Sequence, residues 1–259
     1  MATKKKMLQA AAGNAGAGGA GLDITDVFST YLYTGTSATQ TITNGIDLDG
    51  EGGLVWIKGR SAAYSHYLFD TERGFTAGDD GNFISTNNTN AESYTGNFGV
   101  SAFNSTGFSL HDSWNGANNS PETFASWTFR KAPKFFDVIR WDGDGTNARE
   151  IPHNLGSVPH VMITRPYNVT AGGWSTAHYD GTTWRSGELN TTGSMGSPSP
   201  YIWGDRTNFI EPTDSVITVT GPVEGLTDGM NKSGYSYITY LFAHNDGDGE
   251  FGPDGDQDI

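Results

Sequence analysis

The 259-residue chain contains an internal repeat, which restricts its fold more than any other feature of the sequence. Four segments of the first half recur in the same order in the second half, about 110 residues further on. Residues 33–58 align with 141–164, and residues 64–70 align with 174–180. Two shorter matches follow, GFSL with DSVIT and SWTF with TYLF. Recurrence in this order indicates two copies of one structural module.

The repeat also pairs individual positions, which we expect to occupy equivalent places in the two modules. The aligned positions are Gly35 with Gly143, Ile42 with Ile151, Asp70 with Asp180, and the run VWI at 55–57 with VMI at 161–163.

Each module has the sequence pattern of short β-strands. VFSTYLYTG places Val27, Tyr31 and Tyr33 on one face at a period of two, and most apolar runs end at Gly, Asn or Asp. The 36 glycines supply the positive φ that tight turns need. A module of roughly 110 residues matches one antiparallel sandwich. We therefore predict an all-β chain of two tandem antiparallel β-sandwich modules, preceded by a Gly/Ala-rich N-terminal anchor segment.

Composition sets the predicted boundaries. Residues 1–25 are an anchoring or docking segment, 26–133 the first module, 134–245 the second module, and 246–259 an acidic Gly/Asp-rich tail or linker. The anchoring segment has a basic and apolar start followed by a Gly/Ala tract that cannot order itself, so a disordered tail is the alternative. The predicted docking residues are Lys4, Lys5, Lys6, Met7 and Leu8.

The stretch TFASWTFRKAPKFFDVIRW at 123–141 joins the two modules. Pro133 ends one strand, and the aromatic pair after it begins the next. Aromatic side chains at such a joint mostly bury area, and we expect the basic ones to meet acidic surface on a neighbouring chain. The predicted inter-module seam consists of Trp127, Phe129, Arg130, Lys131, Pro133, Lys134, Phe135 and Phe136.

Charge and motif content exclude several classes of function. The net charge of −14 repels phosphate groups, so we expect no nucleic-acid partner and no membrane partner. The chain has no cysteine, which excludes disulfides and thiolate sites and favours assembly in a reducing cytoplasm. The six histidines lack compact ligand spacing, and no nucleophile, phosphate-loop or dinucleotide motif is present. We predict no catalytic residue, no metal site and no cofactor, and hence no enzyme.

A carbohydrate-binding module remains an alternative, because seven Trp and eleven Tyr suit sugar stacking as well as a large β core. Three aromatic residues in or beside the long Asn/Gly/Ser-rich loops are candidates for sugar contact, namely Tyr94, Trp184 and Tyr201.

Several segments resemble a family of tail-fibre and other virion proteins of tailed bacteriophages, especially marine ones. They are ITNGIDLDGEGGLVWIKGRS, SHYLFDTERG, FNSTGFSL, ASWTFRKAPKFFDV and IPHNLGSVPHVMI. WTFRKAPKFFDV followed by GDG and IPHNLGSVP is typical of that family, and MATKKKMLQAAAG resembles its N-terminus. The resemblance covers most of residues 1–165.

This resemblance implies a non-enzymatic virion structural protein, the proximal part of a phage tail fibre. Such a protein is attached to the tail through its N-terminus, assembles in the host bacterial cytoplasm as a homotrimer, and contributes to host adsorption, with a host surface glycan as a possible ligand. The alternatives are a capsid decoration or head-fibre protein, which would dock on capsid proteins, and a lectin-like carbohydrate-binding module.

Overall fold

The computed structural model describes residues 22–76, 81–94, 99–112, 114, 116–170, 172–222 and 230–243. Within it, Thr25–His244 forms one compact unit. The predicted docking residues Lys4 to Leu8 and the acidic tail at 246–259 lie outside the described residues.

The regular secondary structure of the described chain is almost entirely β-strand, which confirms the predicted fold class. A single turn of helix, α1 (Ile24–Val27), precedes the first strand. The strands of the first module are β1 (Phe28–Thr34), β2 (Gln40–Thr43), β3 (Gly53–Gly59), β4 (His66–Asp70), β5 (Ile84–Ser85), β6 (Val100–Asn104), β7 (Gly107–Leu110) and β8 (Thr123–Arg130). Those of the second module are β9 (Phe136–Asp142), β10 (Arg149–Pro152), β11 (Pro159–Pro166), β12 (Ser175–Tyr179), β13 (Trp184–Glu188), β14 (Val216–Val219) and β15 (Ser236–Ala243).

The two modules share one sheet topology. The first has a five-stranded sheet in the order β1-β8-β3-β4-β5, packed on a three-stranded sheet β2-β7-β6. The second has a five-stranded sheet in the order β9-β15-β11-β12-β13, packed on the pair β10-β14. All of these pairings are antiparallel. The five-stranded sheets match strand for strand, and β2 and β7 correspond to β10 and β14, whereas β6 has no counterpart. The sequence repeat is therefore a structural repeat of two antiparallel sandwiches.

The opening and closing strands of each module pair in the same register. Phe28 on β1 faces Phe129 on β8, and their ring centroids are 4.9 Å apart. At the aligned position, Phe136 on β9 faces Phe242 on β15 at 5.0 Å. Cross-strand aromatic pairs of this kind stabilise a sheet by a few tenths to about 1 kcal/mol each. The aromatic strands at the two ends of each module therefore close its main sheet side by side.

The repeat alignment of β3 with β11 is wrong by one residue. Trp56 faces Trp127 on the closing strand of the first module, whereas Ile163 faces Tyr240 on that of the second. Because Trp127 and Tyr240 are equivalent, Trp56 corresponds to Ile163 and not to Met162. A slip of one residue exchanges the two faces of a strand, so only the pairing register assigns the core positions correctly.

A buried asparagine holds the turn that follows β1. The Asn118 Oδ1 accepts a hydrogen bond from the Thr36 backbone N–H at 3.0 Å, and its Nδ2 donates to the Ala38 carbonyl at 2.7 Å. The backbone passes close to this asparagine, because a Cβ added at Gly35 would lie 2.3 Å from the Asn119 carbonyl oxygen. Glycine is therefore required at this turn.

The second module repeats this turn nearly atom for atom. The Asn231 Oδ1 accepts from the Asp144 N–H at 3.1 Å, and its Nδ2 donates to the Thr146 carbonyl at 2.8 Å. A Cβ at Gly143 would lie 2.1 Å from the Lys232 carbonyl oxygen. The aligned pair Gly35 and Gly143 is thus retained by one steric requirement, the close approach of an asparagine-bearing segment.

Two aspartates in turns make the stability of the fold depend on pH in the acidic range. Hydrogen bonds from the backbone N–H and the hydroxyl of Thr146 lower the pKa of Asp144 from 3.8 to about 2. The Thr183 N–H, together with Arg185 and the Thr182 N–H, lowers the pKa of Asp180 from 3.8 to about 2. A carboxyl whose pKa is lower in the folded state contributes stability that is present above its unfolded pKa and is lost as the pH falls through its folded pKa.

We therefore expect the melting temperature to fall between about pH 4 and about pH 2, with part of that fall caused by Asp144 and Asp180. Circular dichroism melts across this range should show a shallower fall for the Asp144→Asn, Asp180→Asn double variant than for the unchanged chain. Glu150→Gln, at an exposed position on β10, serves as the control and should keep the original slope. Equal slopes for the double variant and the unchanged chain would contradict the assignment.

Candidate functional site

The phenylalanines of the seam form one cluster of rings between the modules. The Phe129 ring lies 6.4 Å from Phe135, 5.5 Å from Phe136 and 5.3 Å from Phe242. Phe135 and Phe136 are buried. The cluster joins the last residues of β8 to the first and last strands of the second module, and it leaves little freedom at the short link that contains Pro133.

Two other seam residues lie in different surroundings. Trp127 packs edge-on against Trp56 at 6.2 Å, on the face of the first sheet that is opposite the sandwich core. Lys134 occupies the left-handed region with a φ of 61°, and its N–H donates to the Leu155 carbonyl at 2.6 Å. The role of Lys134 in the link is therefore to form a turn with its backbone.

The basic side chains of the seam pair with acidic groups of the same chain. Arg130 Nη2 lies 3.2 Å from Glu51 Oε1. Lys131 Nζ lies 2.8 Å from Glu72 Oε1 and 3.3 Å from Asp137 Oδ1. Burial lowers the pKa of Lys131, but the hydrogen bond to Glu72 and the nearby carboxylates raise it by more, so the net shift is upward. These pairs account for two of the basic residues within one chain, and the expected contact with a neighbouring chain stays a prediction.

A buried ionic cluster, consisting of Asp70, Arg73, Glu92 and Tyr240, connects the two modules. Arg73 contacts Asp70 Oδ2 through Nη2 at 2.6 Å and through Nε at 2.7 Å. Arg73 Nη1 lies 3.0 Å from Glu92 Oε1. The Tyr240 hydroxyl, on β15 of the second module, donates to Asp70 Oδ2 at 2.8 Å. The side chains of Asp70 and Arg73 have no exposed surface.

Arg165 of the second module binds the loop after β5 of the first. Its Nη1 and Nη2 donate to the carbonyls of Asn88 and Asn90 at 3.0 and 2.7 Å. Its guanidinium carbon lies 5.2 Å from the centre of the Trp174 ring, and Trp174 Nε1 donates to the Ser85 carbonyl at 2.9 Å. Both Arg165 and Trp174 are fully buried. Two side chains of the second module thereby bind three backbone carbonyls of the first module, between Ser85 and Asn90.

The charges around this interface shift one another's pKa values. Burial lowers the pKa of Arg73, but Asp70, Tyr240 and Glu92 raise it by more, so Arg73 stays charged. Burial, and then the charge of Arg73, lowers the pKa of Arg165 to about 10. Burial raises the pKa of Tyr240, and the charge of Asp70 raises it further. Removing one partner of a buried pair leaves an uncompensated charge, so Arg73 depends on its carboxylates, and the Tyr240 hydroxyl joins this cluster to the second module.

No motif in the sequence identified these residues. Asp70 was aligned with Asp180, but Asp180 lies at the surface and accepts hydrogen bonds from its own turn. The one local signal is Arg165, a charged residue that ends the apolar run VMIT on β11. Arg73 and Glu92 are unremarkable in the sequence, since they pair across 19 positions, and Asp70 meets Tyr240 across 170 positions.

Each module has a cleft lined by aromatic rings. The cleft of the second module has a volume of about 480 Å³. It is lined by the rings of His160, Tyr179, Trp184 and Phe209 and by Val158, Thr182, Thr183, Pro198 and Glu211. The cleft of the first module, about 370 Å³, is lined by Phe75 and Phe103 together with Leu48, Asp49, Gly52, Thr71, Ser101 and Ala102.

The two clefts are built from equivalent segments of the repeat. Each lies where three segments meet: the loop before β3 or β11, the end of β4 or β12, and the segment that leads to β7 or β14. Glu211 lies on the last of these segments in the second cleft, and Ala102 lies there in the first. Aromatic walls with a few hydroxyl and carboxylate groups suit a small polar ligand that has an apolar face.

The three aromatic candidates for sugar contact lie in different places. Trp184 is buried, with 5% of its surface exposed, and forms a wall of the second cleft. Tyr94 and Tyr201 are exposed to 52% and 46% and lie outside the lining of both clefts. Of the three, Trp184 is the one that lines either of these two clefts.

Across the described ranges, no group of three His, Cys, Asp or Glu side chains is placed to hold a metal ion. The same part of the chain contains no helix with the length and apolarity needed to cross a bilayer. A family model described as "Domain of unknown function (DUF7483)" matches residues 23–254. No curated protein and no solved structure matches the chain.

The buried ionic cluster leads to a test of stability. Asp70→Asn removes the carboxylate from a fully buried arginine, so we expect the free energy of unfolding to fall by about 3–5 kcal/mol. The matched control is Asp180→Asn, which changes the aligned aspartate at the surface and should cost less. Urea denaturation followed by tryptophan fluorescence measures both. If the two variants lost the same stability, the buried ionic cluster would not hold the modules together.

Proposed function

The chain belongs to the DUF7483 family, and we propose that it is a non-enzymatic structural protein of the virion of a tailed bacteriophage, a subunit of the proximal tail fibre. In this proposal residues 1–25 dock on the tail, and the two β-sandwich modules form a section of the fibre. The protein is assembled in the bacterial cytoplasm, associates with copies of itself (three, by the resemblance) and contributes to adsorption to the host.

The observation that carries this proposal is the rigid junction between the modules. A fibre has to hold its distal end in a defined direction, so a freely hinged pair of domains is unsuitable for it. Domains within one chain move relative to each other unless their interface is large and apolar or otherwise locked. Here the ring cluster around Phe129 and the buried ionic cluster close the interface on both sides of the link.

The residues at the junction also include the sequence on which the resemblance to virion proteins rests. WTFRKAPKFFDV contains the end of β8, the link and the start of β9. Phe129, Lys131 and Phe136 of this segment all make contacts that join the modules or their link. The sequence segment that carries the resemblance is therefore the one that fixes the angle between the two sandwiches. This supports a common architectural role.

The docking claim is tested by deleting residues 2–21 in a phage that carries this gene. We expect the shortened protein to keep the circular dichroism melt of the full chain, because the described unit begins at Thr25, and to be lost from purified particles. Tyr94→Ala, an exposed loop change, is the control and should be incorporated normally. Incorporation of the shortened protein at the normal level would refute docking through this segment. Labelled density on the capsid would instead assign the protein to the head.

The paired clefts favour carbohydrate binding as a second candidate function. A sugar ring offers an apolar face for aromatic walls and hydroxyl groups for Thr182 and Glu211, both of which line the second cleft. The chain's charge of −14 disfavours anionic saccharides, so we propose a neutral or basic one. Two equivalent clefts in one rigid unit could bind neighbouring units of a polymer, which strengthens weak contacts by raising the effective concentration.

Glycan-array and titration measurements on the intact chain test this candidate. We expect Glu211→Gln and Thr182→Ala each to weaken binding of a neutral oligosaccharide about tenfold, as the loss of one good hydrogen bond would. Glu150→Gln changes an exposed glutamate on β10 and should leave binding unchanged. Failure of the unchanged chain to bind any neutral or basic glycan, or equal affinity of all variants, would reject the second cleft as a saccharide site.

A further inference from the structure

The edges of the two main sheets differ in a way that the repeat makes visible. β1 and β9 occupy the same edge of their five-stranded sheets. β9, FDVIRWD, contains Asp137, Arg140 and Asp142, whereas β1, FSTYLYT, has no charged residue and no proline. Charged residues on an edge strand prevent pairing with other chains. The second module has this protection at the edge where the first module lacks it.

The exposed residues of β1 are Thr30, Tyr31, Leu32 and Thr34, and none of them carries a charge. The repeat aligns Leu32 with Arg140, and Leu32 is 57% exposed, more than any other large hydrophobic side chain in the described part of the chain. Its neighbour Tyr31 is 37% exposed. An edge strand that has no charge and exposes a leucine and a tyrosine lacks the usual protection against pairing with another strand.

The hydrogen bonding of β1 leaves alternate backbone groups at the open edge. The β1–β8 ladder continues into the bond from the Gly35 N–H to the Glu122 carbonyl, at 2.8 Å. In an antiparallel ladder every second residue exchanges both of its hydrogen bonds with the partner strand. Tyr31 and Tyr33 are therefore bonded towards β8, and the N–H and C=O groups of Thr30 and Leu32 are directed away from the sheet.

We propose that β1 is a contact between two copies of this chain, in which the two β1 strands pair antiparallel about a two-fold axis at Tyr31. In this register Thr30 of each copy exchanges both hydrogen bonds with Leu32 of the other, and the two Tyr31 side chains lie opposite each other. The result is one continuous ten-stranded sheet built from the five-stranded sheets of two first modules.

The charge distribution favours a second copy of the chain as the partner of β1. Two chains of charge −14 repel each other, so they approach most easily where the contact surface has no charge, as along β1. A two-fold contact places each residue near its own copy, and a strand such as β9 would bring like charges together. The contact joins chains in pairs, so in an assembly of three chains around one axis it joins chains of two different assemblies, and it does not depend on the protein being a virion component.

The absence of cysteine from the chain allows a direct test of the axis. Residues opposite each other in a non-hydrogen-bonded antiparallel pair have Cα atoms about 4.5 Å apart, which is within the range of a disulfide. We expect the full chain with Tyr31→Cys to form a covalent dimer on mild oxidation and to return to the monomer with reductant. Tyr201→Cys, at another exposed tyrosine, should stay monomeric.

Sedimentation of the full chain without cysteines gives an independent measurement. We expect Leu32→Lys to weaken self-association by on the order of tenfold or more, because it places charge on both sides of the two-fold axis. Leu189→Lys, at an apolar residue 40% exposed away from β1, is the control and should have no effect. Circular dichroism establishes that the variants are folded.

Three results would overturn the proposal. The first is cross-linking of Tyr31→Cys no faster than that of Tyr201→Cys. The second is an assembly whose mass does not change with Leu32→Lys, which would mean that another surface joins the copies or that another partner covers β1. The third is a chain that stays monomeric at every concentration measured.

Discussion

The pairing of one buried arginine decides how the two halves of this protein are joined. Arg73 has no exposed surface, and a guanidinium in that position has to be matched by acceptors that are themselves buried. Asp70 and Glu92 supply carboxylates from the first module, and Tyr240 fixes Asp70 from the second. The hydroxyl of Tyr240 can reach Asp70 only when the two sheets meet at one angle. The ring cluster at the seam, the binding of the Asn88–Asn90 loop by Arg165 and the fixed link all depend on that arrangement.

The two modules retain one architecture and use it differently. Strand order, the register of the opening and closing strands, and the asparagine turn at Gly35 and Gly143 are common to both. The differences lie at the surfaces where a module contacts the other module or the solvent. Asp70 belongs to the junction, whereas Asp180 belongs to an exposed turn. Duplication thus preserved the residues that a sandwich needs for its own stability and left the surface free to change.

These differences separate three candidate surfaces from the scaffold: the junction, the clefts and the β1 edge. The junction gives a stiff unit, the clefts lie at loops that a rigid scaffold positions, and the edge is open to another strand. Each consists of different residues, so a change in one is separable from the others in experiment. Stiffness and repeated concave sites are compatible with each other in a fibre, which supports the proposed role.

The sequence by itself determined the all-β class and the two modules, because alternation, turn chemistry and repetition can be read directly from the chain. It failed at β3 and β11, where VWI and VMI look alike but are offset by one residue, since only hydrogen-bond register assigns faces. It also gave no sign that Trp184 is buried in a cleft wall or that Tyr240 donates to Asp70. Both depend on residues that are far apart in the chain: the packing of segments within the second module decides the first, and the packing of one module against the other decides the second.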